Sequence, residues 1–195
     1  MRRMRQIFTR KLGLSILLAA LVAGCTAPPP GAETGRLEAA PPSTAPYIEV
    51  AFSPEAGSEA LVVKVIGSAK ESLRLAGYSF TSPAVVRALM DAKRRGVDVQ
   101  VLVDDKGNHS RSSVAAIGLV AGAGIPVRTI AAYAIHHDKY IVVDARTTET
   151  GSFNYSQAAA RSNSENVLVV WNDPRVAASF LKHWDSRWAQ GVPAR

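Results

Sequence analysis

Strand and helix patterns alternate along residues 47–188, and this order limits the fold more than any other feature of the chain. Runs of alternating or continuous apolar residues, typical of strands, are separated by segments with apolar residues at helical spacing. Strands joined by helices pair through crossover connections, with the helices lying on the sheet. The order therefore predicts an α/β fold, with a mixed, largely parallel β-sheet sandwiched between helices. The predicted strands are 47–52, 72–80, 97–103, 125–130, 136–143, 149–154 and 167–171, and the predicted helices are 58–68, 84–95, 110–121 and 174–188.

The first 24 residues have the pattern of an export signal, in which a basic start is followed by an apolar stretch over 12–23. That stretch is shorter than the roughly 20 apolar residues that a membrane span needs. The tetrapeptide VAGC ends at Cys25, the only cysteine, and resembles a bacterial lipobox. We expect a lipoprotein, exported to the bacterial periplasm and anchored in the membrane through lipidated Cys25. An ordinary cleaved signal and an uncleaved signal anchor are the alternatives.

The segment 25–46 is rich in Pro and Ala and predicts a tether without a core of its own, followed by a single domain over 47–195. The formal net charge of +7 does not describe that domain, because residues 1–24 contribute five basic residues and no acidic one. The rest of the chain has 18 basic and 16 acidic residues, a balance of +2. Bulk basicity therefore does not indicate a nucleic-acid partner.

Polar residues at fixed spacing mark the segment IHHDKYIVVDARTTETGSFNYS, which runs over 135–156. At ordinary residue frequencies, six fixed residues at fixed spacing arise by chance at about one in 10^7 to 10^8 positions. The spacing His-x-Lys-x4-Asp-x6-Gly-Ser-x-Asn therefore indicates a functional site. Its members are His137, Lys139, Asp144, Gly151, Ser152 and Asn154.

Strand periodicity predicts which of these side chains meet. His137 and Lys139 are two residues apart and project from one face of a predicted strand, as do Ser152 and Asn154 on the next strand. A turn centred between residues 146 and 147 places Lys139 opposite Asn154 and brings all four polar groups together.

Two other residues of the segment point to the opposite face of the predicted strand from His137. Asp144 lies at a strand end, where we expect it to hold the turn or a neighbouring strand and not to touch substrate. His136 points away from His137, so we expect it to have a structural role.

The convergent residue types suit attack on a phosphodiester. Lys139, Ser152 and Asn154 offer an ammonium, a hydroxyl and an amide, which are donors for the non-bridging phosphate oxygens. His137 is able to attack phosphorus and form a covalent intermediate that water opens later. One histidine cannot also be the general acid in the same step, so a single copy of this group is chemically incomplete.

The run resembles the HKD signature of the phospholipase D superfamily, and the chain is similar to the small single-motif bacterial endonucleases of that superfamily. The resemblance implies that Glu165, in the segment Asn-Ser-Glu-Asn, orients His137, and that the reaction needs no metal or other cofactor. It also implies a homodimer, because the sequence contains one copy of the motif and the family's sites combine two. One His137 is then the nucleophile and its symmetry mate the general acid. The implied catalytic residues are His137, Lys139, Asn154, Ser152, Glu165 and, in support, Asp144.

The function that the sequence predicts is hydrolysis of nucleic-acid phosphodiester bonds, DNA or RNA, by a nonspecific endonuclease. The alternative within the same chemistry is a phospholipase D that acts on membrane phospholipids, where a lipidated Cys25 holds it. A third hypothesis is an inactive binding lipoprotein. The complete set of His137, Lys139, Asn154 and Glu165 argues against that hypothesis, since a protein without catalysis has no use for all four.

Overall fold

The computed structural model describes residues 44–194. The predicted export signal, Cys25 and nearly all of the predicted tether lie outside the described residues. The strands are β1 Tyr47–Ser53, β2 Ser72–Gly77, β3 Asp98–Asp104, β4 Val127–Ile130, β5 Tyr140–Val143, β6 Thr147–Gly151, β7 Glu165–Trp171 and β8 Val192–Pro193. The α-helices are α1 Ser58–Ser68, α2 Pro83–Arg94, α3 Arg111–Gly122, α4 Gln157–Arg161 and α5 Pro174–Trp188, and Lys106–Asn108 forms a 3-10 turn.

The helix starts follow from local chemistry. Ser82 accepts a hydrogen bond from the Val85 backbone N–H at 3.2 Å and precedes Pro83, so α2 begins with a side-chain cap and a proline that needs no donor. Ser110 caps α3 in the same way, at the predicted start of that helix. Asp173 caps α5, which spans the predicted range.

One eight-stranded sheet forms the centre of the domain, in the order β1-β7-β6-β5-β2-β3-β4-β8. The prediction of a mixed sheet is confirmed, but its description as largely parallel is wrong. Only the β2–β3 and β3–β4 pairs are parallel, while the five other pairs are antiparallel. The cause is the short β5–β6 connection, which leaves no room for the crossover that a parallel pair requires, and the return of β7 beside β6.

Helices cover both faces of the sheet, as predicted. The larger core lies between one face and α1, α2 and α3, and includes Leu75, Val101 and Ile141. A smaller core lies between the other face and α5, where Trp184 packs with sheet side chains such as Tyr140. Within the part of the chain that the structure describes, no helix is long and apolar enough to cross a membrane.

The β5–β6 hairpin differs from its predicted register. Arg146 donates its backbone N–H to the Val143 carbonyl at 3.0 Å, and the two residues between them, Asp144 and Ala145, both have φ of 50°. Positive φ at both central residues is the geometry of a type I′ hairpin turn. The turn therefore falls earlier than the predicted centre, and Ile141 pairs with Glu149 where Ser152 was expected.

The predicted catalytic residues were expected on strands but lie just outside them. β5 begins at Tyr140, so His137 and Lys139 belong to the segment that leads into it. β6 ends at Gly151, so Ser152 and Asn154 follow that strand. The predicted pairing of Lys139 with Asn154 is therefore wrong.

Candidate active site

The site lies at the end of the sheet where β2 and β3 finish and β5 begins. The segment 135–139 is attached there by the backbone N–H of His136, which donates to Asp104 Oδ1 at 2.6 Å. Asp104 is the last residue of β3 and is buried. The carboxyl ends of parallel strands commonly form such sites in α/β proteins.

His137 has an exposed side chain beside an aromatic residue that the sequence analysis missed. Its ring centroid lies 4.8 Å from that of Tyr78, with an angle of 59° between the planes. None of the hydrogen bonds within residues 44–194 involves the His137 imidazole. Both ring nitrogens are therefore available to a substrate or to a second chain. The one sequence signal for Tyr78 is its place directly after β2.

Lys139 is a buried cation, with 7% of its surface exposed. Its Nζ donates to the His137 carbonyl oxygen at 3.0 Å and lies 5.5 Å from the centroid of the Tyr78 ring. Burial lowers the pKa of Lys139 below its ordinary value, and the carboxylates of Glu165 and Asp138 oppose that shift. An anion bound beside Nζ would favour the charged form and replace hydration that burial has removed.

Ser152 and Glu165 are bound to each other. Ser152 Oγ donates to Glu165 Oε2 at 2.6 Å and accepts the Asn166 backbone N–H at 3.0 Å. Asn163 Nδ2 donates to the other carboxylate oxygen of Glu165 at 2.9 Å. The expected hydrogen bond between Glu165 and His137 is thus not formed within the chain. The carboxylate instead fixes the Ser152 hydroxyl, because β7 begins at Glu165 and runs beside the end of β6.

Gly151 and Asn154 complete the group. A Cβ atom at Gly151 would lie 2.1 Å from the Asn166 carbonyl oxygen, so only glycine permits the approach of the two chains that brings Ser152 to Glu165. Asn154 is half-buried, and its Oδ1 is buried without a hydrogen-bond partner within residues 44–194. The Asn154 amide therefore retains unused hydrogen-bonding capacity in the described domain.

Asp144 lies in the β5–β6 turn and binds the start of β2. Its carboxylate accepts the backbone N–H groups of Lys70 at 3.0 Å, Glu71 at 2.8 Å and Ser72 at 2.9 Å. This agrees with the expected supporting position. None of the hydrogen bonds of Asp144 among the described residues involves another residue of the motif.

Sequence reasoning missed a second imidazole at the site. His183 of α5 lies outside the motif, yet its Nε2 lies 2.8 Å from Asp138 Oδ2. His136 Nδ1 lies 3.5 Å from the same oxygen, and burial lowers the pKa of His136. Nothing in the sequence pairs residues 138 and 183, because they meet only once α5 packs on β5.

A pocket of about 450 Å³ opens between α5 and the segment 135–139. No cluster of three or more His, Cys, Asp or Glu residues within 44–194 has the arrangement of a metal site. The lining residues of the pocket are His137, Asp138, Lys139, Tyr140, Thr150, Gly151, Ser179, Phe180 and His183.

Residues 62–188 match the family model described as the PLD-like domain of cardiolipin synthase. The chain belongs to the phospholipase D superfamily. It is 50% identical to the phospholipase D family member Nuc from Salmonella typhimurium, whose crystal structure superposes with a TM-score of 0.76 over 77% of this chain and 99% of that one. The predicted family, the mixed α/β fold of a sheet between helices and the phosphodiester hydrolase activity are confirmed.

Proteins named for lipid hydrolysis are also similar to this phospholipase D superfamily member. A phospholipase D of Rickettsia bellii is 32% identical over 143 residues, which are 73% of this chain and 70% of that protein. The human mitochondrial cardiolipin hydrolase is 33% identical over 166 residues, which are 85% of this chain and 62% of that protein.

Proposed function

We propose that this phospholipase D superfamily member is an endonuclease that cleaves nucleic-acid phosphodiester bonds through a phosphohistidine at His137, in a site that two copies share. The observation that carries the chemistry is the exposed His137 ring, unengaged within the described chain, beside the buried ammonium of Lys139. The choice of nucleic acid is supported by the higher identity to Salmonella Nuc than to the phospholipases D.

In the first step, a ring nitrogen of His137 attacks phosphorus, and the bond from phosphorus to the leaving oxygen breaks. The leaving oxygen takes a proton from His137 of the second copy, which acts as general acid. In the second step, that histidine removes a proton from water, and the resulting hydroxide displaces His137 from phosphorus. The products are an alcohol, a phosphomonoester and the regenerated enzyme.

Lys139 and the Asn154 amide bind the non-bridging oxygens as charge develops on them. A buried donor is effective here, since it is held in place before the reaction and acts in a medium of low dielectric constant. Ser152 supports the phosphate site, and Glu165 fixes the direction of the Ser152 hydroxyl.

An uncovered apolar face of the sheet supports the sharing of the site. Ile48, Val50 and Phe52 of β1 are 65%, 55% and 54% exposed, on the side of the sheet where α5 packs but beyond the strands that α5 covers. Phe52 pairs with Asn166, whose backbone N–H binds Ser152, so this face reaches the catalytic group. A twofold partner packed on it brings the two sites together.

Cleavage of plasmid DNA in EDTA by the purified full chain tests the proposal, with His137→Ala beside it. The exposed His109→Ala serves as a matched histidine control. We expect nicking that resists EDTA, is lost in His137→Ala and is retained in His109→Ala. Retention of full nicking in His137→Ala would exclude the phosphohistidine.

The second candidate is a phospholipase D that acts on membrane lipids, which the names of the Rickettsia and human relatives favour. The same preparations, incubated with phosphatidylcholine and cardiolipin vesicles, distinguish the two substrates. Lipid turnover without DNA cleavage would establish the phospholipase and reject the endonuclease. If neither substrate is cut, the third hypothesis, an inactive binding lipoprotein, is favoured.

We further propose that the chain is exported and lipidated at Cys25. The support is the order of a basic start, an apolar stretch and the VAGC tetrapeptide. Mass spectrometry of the mature N-terminal peptide from the membrane fraction tests this, and an unmodified N-terminus at any other residue would contradict it.

A further inference from the structure

The segment that carries His137 and Lys139 has little regular structure to hold it. Residues 135–139 lie between β4 and β5 and belong to neither strand. Its anchors include the His136 backbone N–H on Asp104 and the Thr150 hydroxyl, which donates to the Lys139 carbonyl at 3.1 Å. These bonds fix the backbone at the two ends of the catalytic pair and leave Asp138 between them.

Asp138 is held from outside the segment by α5. His183 Nε2 and Asp138 Oδ2 are 2.8 Å apart, a normal length for a hydrogen bond with a carboxylate. A third of the Asp138 side chain is exposed, so the contact is only partly shielded from water. His136 Nδ1 approaches the same oxygen at 3.5 Å. One carboxylate oxygen therefore joins the catalytic segment to α5.

His183 packs against the sheet, although 38% of its side chain is exposed. Its ring lies 6.0 Å from the ring of Tyr140 in an edge arrangement, and Tyr140 is the first residue of β5. The next residue on α5, Trp184, is 1% exposed and belongs to the core between α5 and the sheet. The imidazole thus links a packed helix to a segment without regular structure.

We propose that His183 and Asp138 form a positioning pair that holds His137 and Lys139 in the direction needed for attack on phosphorus. This rests on the proposed role of His137. Asp138 stands between the two catalytic residues, so fixing its side chain limits rotation of the peptide units on both sides. His183 and Asp138 act through these neighbours and are not themselves the nucleophile or the acid.

His183→Leu tests the pair, because it removes the ring donor and keeps an apolar side chain against Tyr140. We expect kcat to fall by roughly ten- to hundredfold, as for catalytic groups displaced by about 1 Å, while KM changes by less than about twofold. His183→Gln retains an N–H donor and should recover most of kcat. His109→Leu is the matched control, because His109 is exposed and its Nε2 also lies near a carboxylate, 3.5 Å from Asp105 Oδ2.

A double-mutant cycle separates a shared hydrogen bond from two independent effects. Asp138→Ala and His183→Leu should each lower kcat, and the double variant should be no slower than the slower single variant. Trapped phosphohistidine, counted per total chain, should form more slowly but reach the wild-type amplitude. A merely structural role would reduce that amplitude and the melting temperature and leave the rate for each folded site unchanged.

Three results would overturn the pair: full kcat in His183→Leu, equal losses in His183→Leu and His183→Gln, or additive losses in the double variant. His137→Ala, measured in parallel, distinguishes failure of the positioning pair from failure of the proposed function. If His137→Ala remains active, the proposed function fails. If it is inactive while His183→Leu is fully active, the positioning pair alone fails.

Discussion

Lys139 shows what the site demands of a single residue. A lysine with 7% of its surface exposed and a carbonyl oxygen and an aromatic ring as neighbours is costly to bury. The lowered pKa of Lys139 expresses that cost, since burial disfavours the ammonium. We therefore propose that Lys139 serves to bind an anion and not to stabilise the fold.

Replacement of Lys139 by Met tests whether the lysine serves anion binding and not the stability of the fold. We expect kcat to fall by about 10²- to 10³-fold, as when one preorganised donor to a developing charge is removed. The free energy of unfolding should stay equal or rise, because a methionine of similar length is buried without the cost of an ammonium. Cleavage kinetics and urea unfolding measure the two effects, and a large loss of stability would contradict the assignment.

Glu149 gives a prediction about pH. It is completely buried on β6, and burial raises its pKa from 4.5 to about 8, against the effect of the hydrogen bond that Tyr155 donates at 2.8 Å. Between these two pH values the folded chain holds a proton that the unfolded chain has released. The contribution of Glu149 to stability is therefore complete below pH 4.5 and is lost as the pH rises towards 8.

Glu149→Gln cannot titrate, so its stability should lack this slope. From pH 4.5 to 7 the wild-type protein should lose about 3 kcal/mol of unfolding free energy through Glu149, and the Gln variant none of it. Urea unfolding of both proteins at the two pH values measures the difference. Parallel pH profiles would show that Glu149 is ionised in the folded protein.

At the scale of the elements, the β5–β6 hairpin is tied to the start of β2 through Asp144. Three backbone N–H groups converge on its carboxylate, and its left-handed φ disfavours most replacements. We expect Asp144→Ala to lower the free energy of unfolding by about 2–3 kcal/mol, since donors to a charged acceptor lose their partner.

Asp144→Asn is the matched variant, because asparagine tolerates the same φ and keeps one side-chain oxygen. It should lose about half as much stability. Urea unfolding measures both changes, with kcat for each folded site as the second measurement. A kcat that falls by more than about tenfold in folded Asp144→Asn would mean that Asp144 takes part in the chemistry.

The sequence predicted elements better than it predicted their pairing. The ranges of α1 and α5 follow directly from apolar spacing and from caps such as Asp173, which are local properties. The hairpin register depended on which residues adopt positive φ, and Asp144 and Ala145 are not glycines. The neighbour of β7 also depends on tertiary packing, so the bond between Glu165 and Ser152 was not predicted and the Asp138–His183 contact was missed.

At the scale of the whole molecule, the apolar face of β1 predicts how the chain assembles. Phe52→Glu places a charge in the proposed twofold contact, at the end of the apolar face nearest the predicted catalytic group. We expect light scattering to show a monomer where the wild-type protein is a dimer, together with loss of cleavage, because a charge in an apolar interface is costly to desolvate.

Leu119→Glu is the matched control for that experiment. Leu119 is 57% exposed on α3, which packs on the other face of the sheet. This variant should remain dimeric and active. A Phe52→Glu monomer that still cleaves DNA at the wild-type rate would exclude a site shared between two copies.

The pairing of β1 with β7 also has a consequence in time. Tyr47 pairs with Trp171, and Ser53 pairs with Glu165. The first strand along the chain therefore cannot pair until the seventh has been made. Contacts so distant along the chain slow folding, because the intervening loop must close before the pair gains any energy. During synthesis the sheet cannot be completed until β7 has left the ribosome. For most of the time that its synthesis takes, a newly made chain therefore lacks the partner of its first strand.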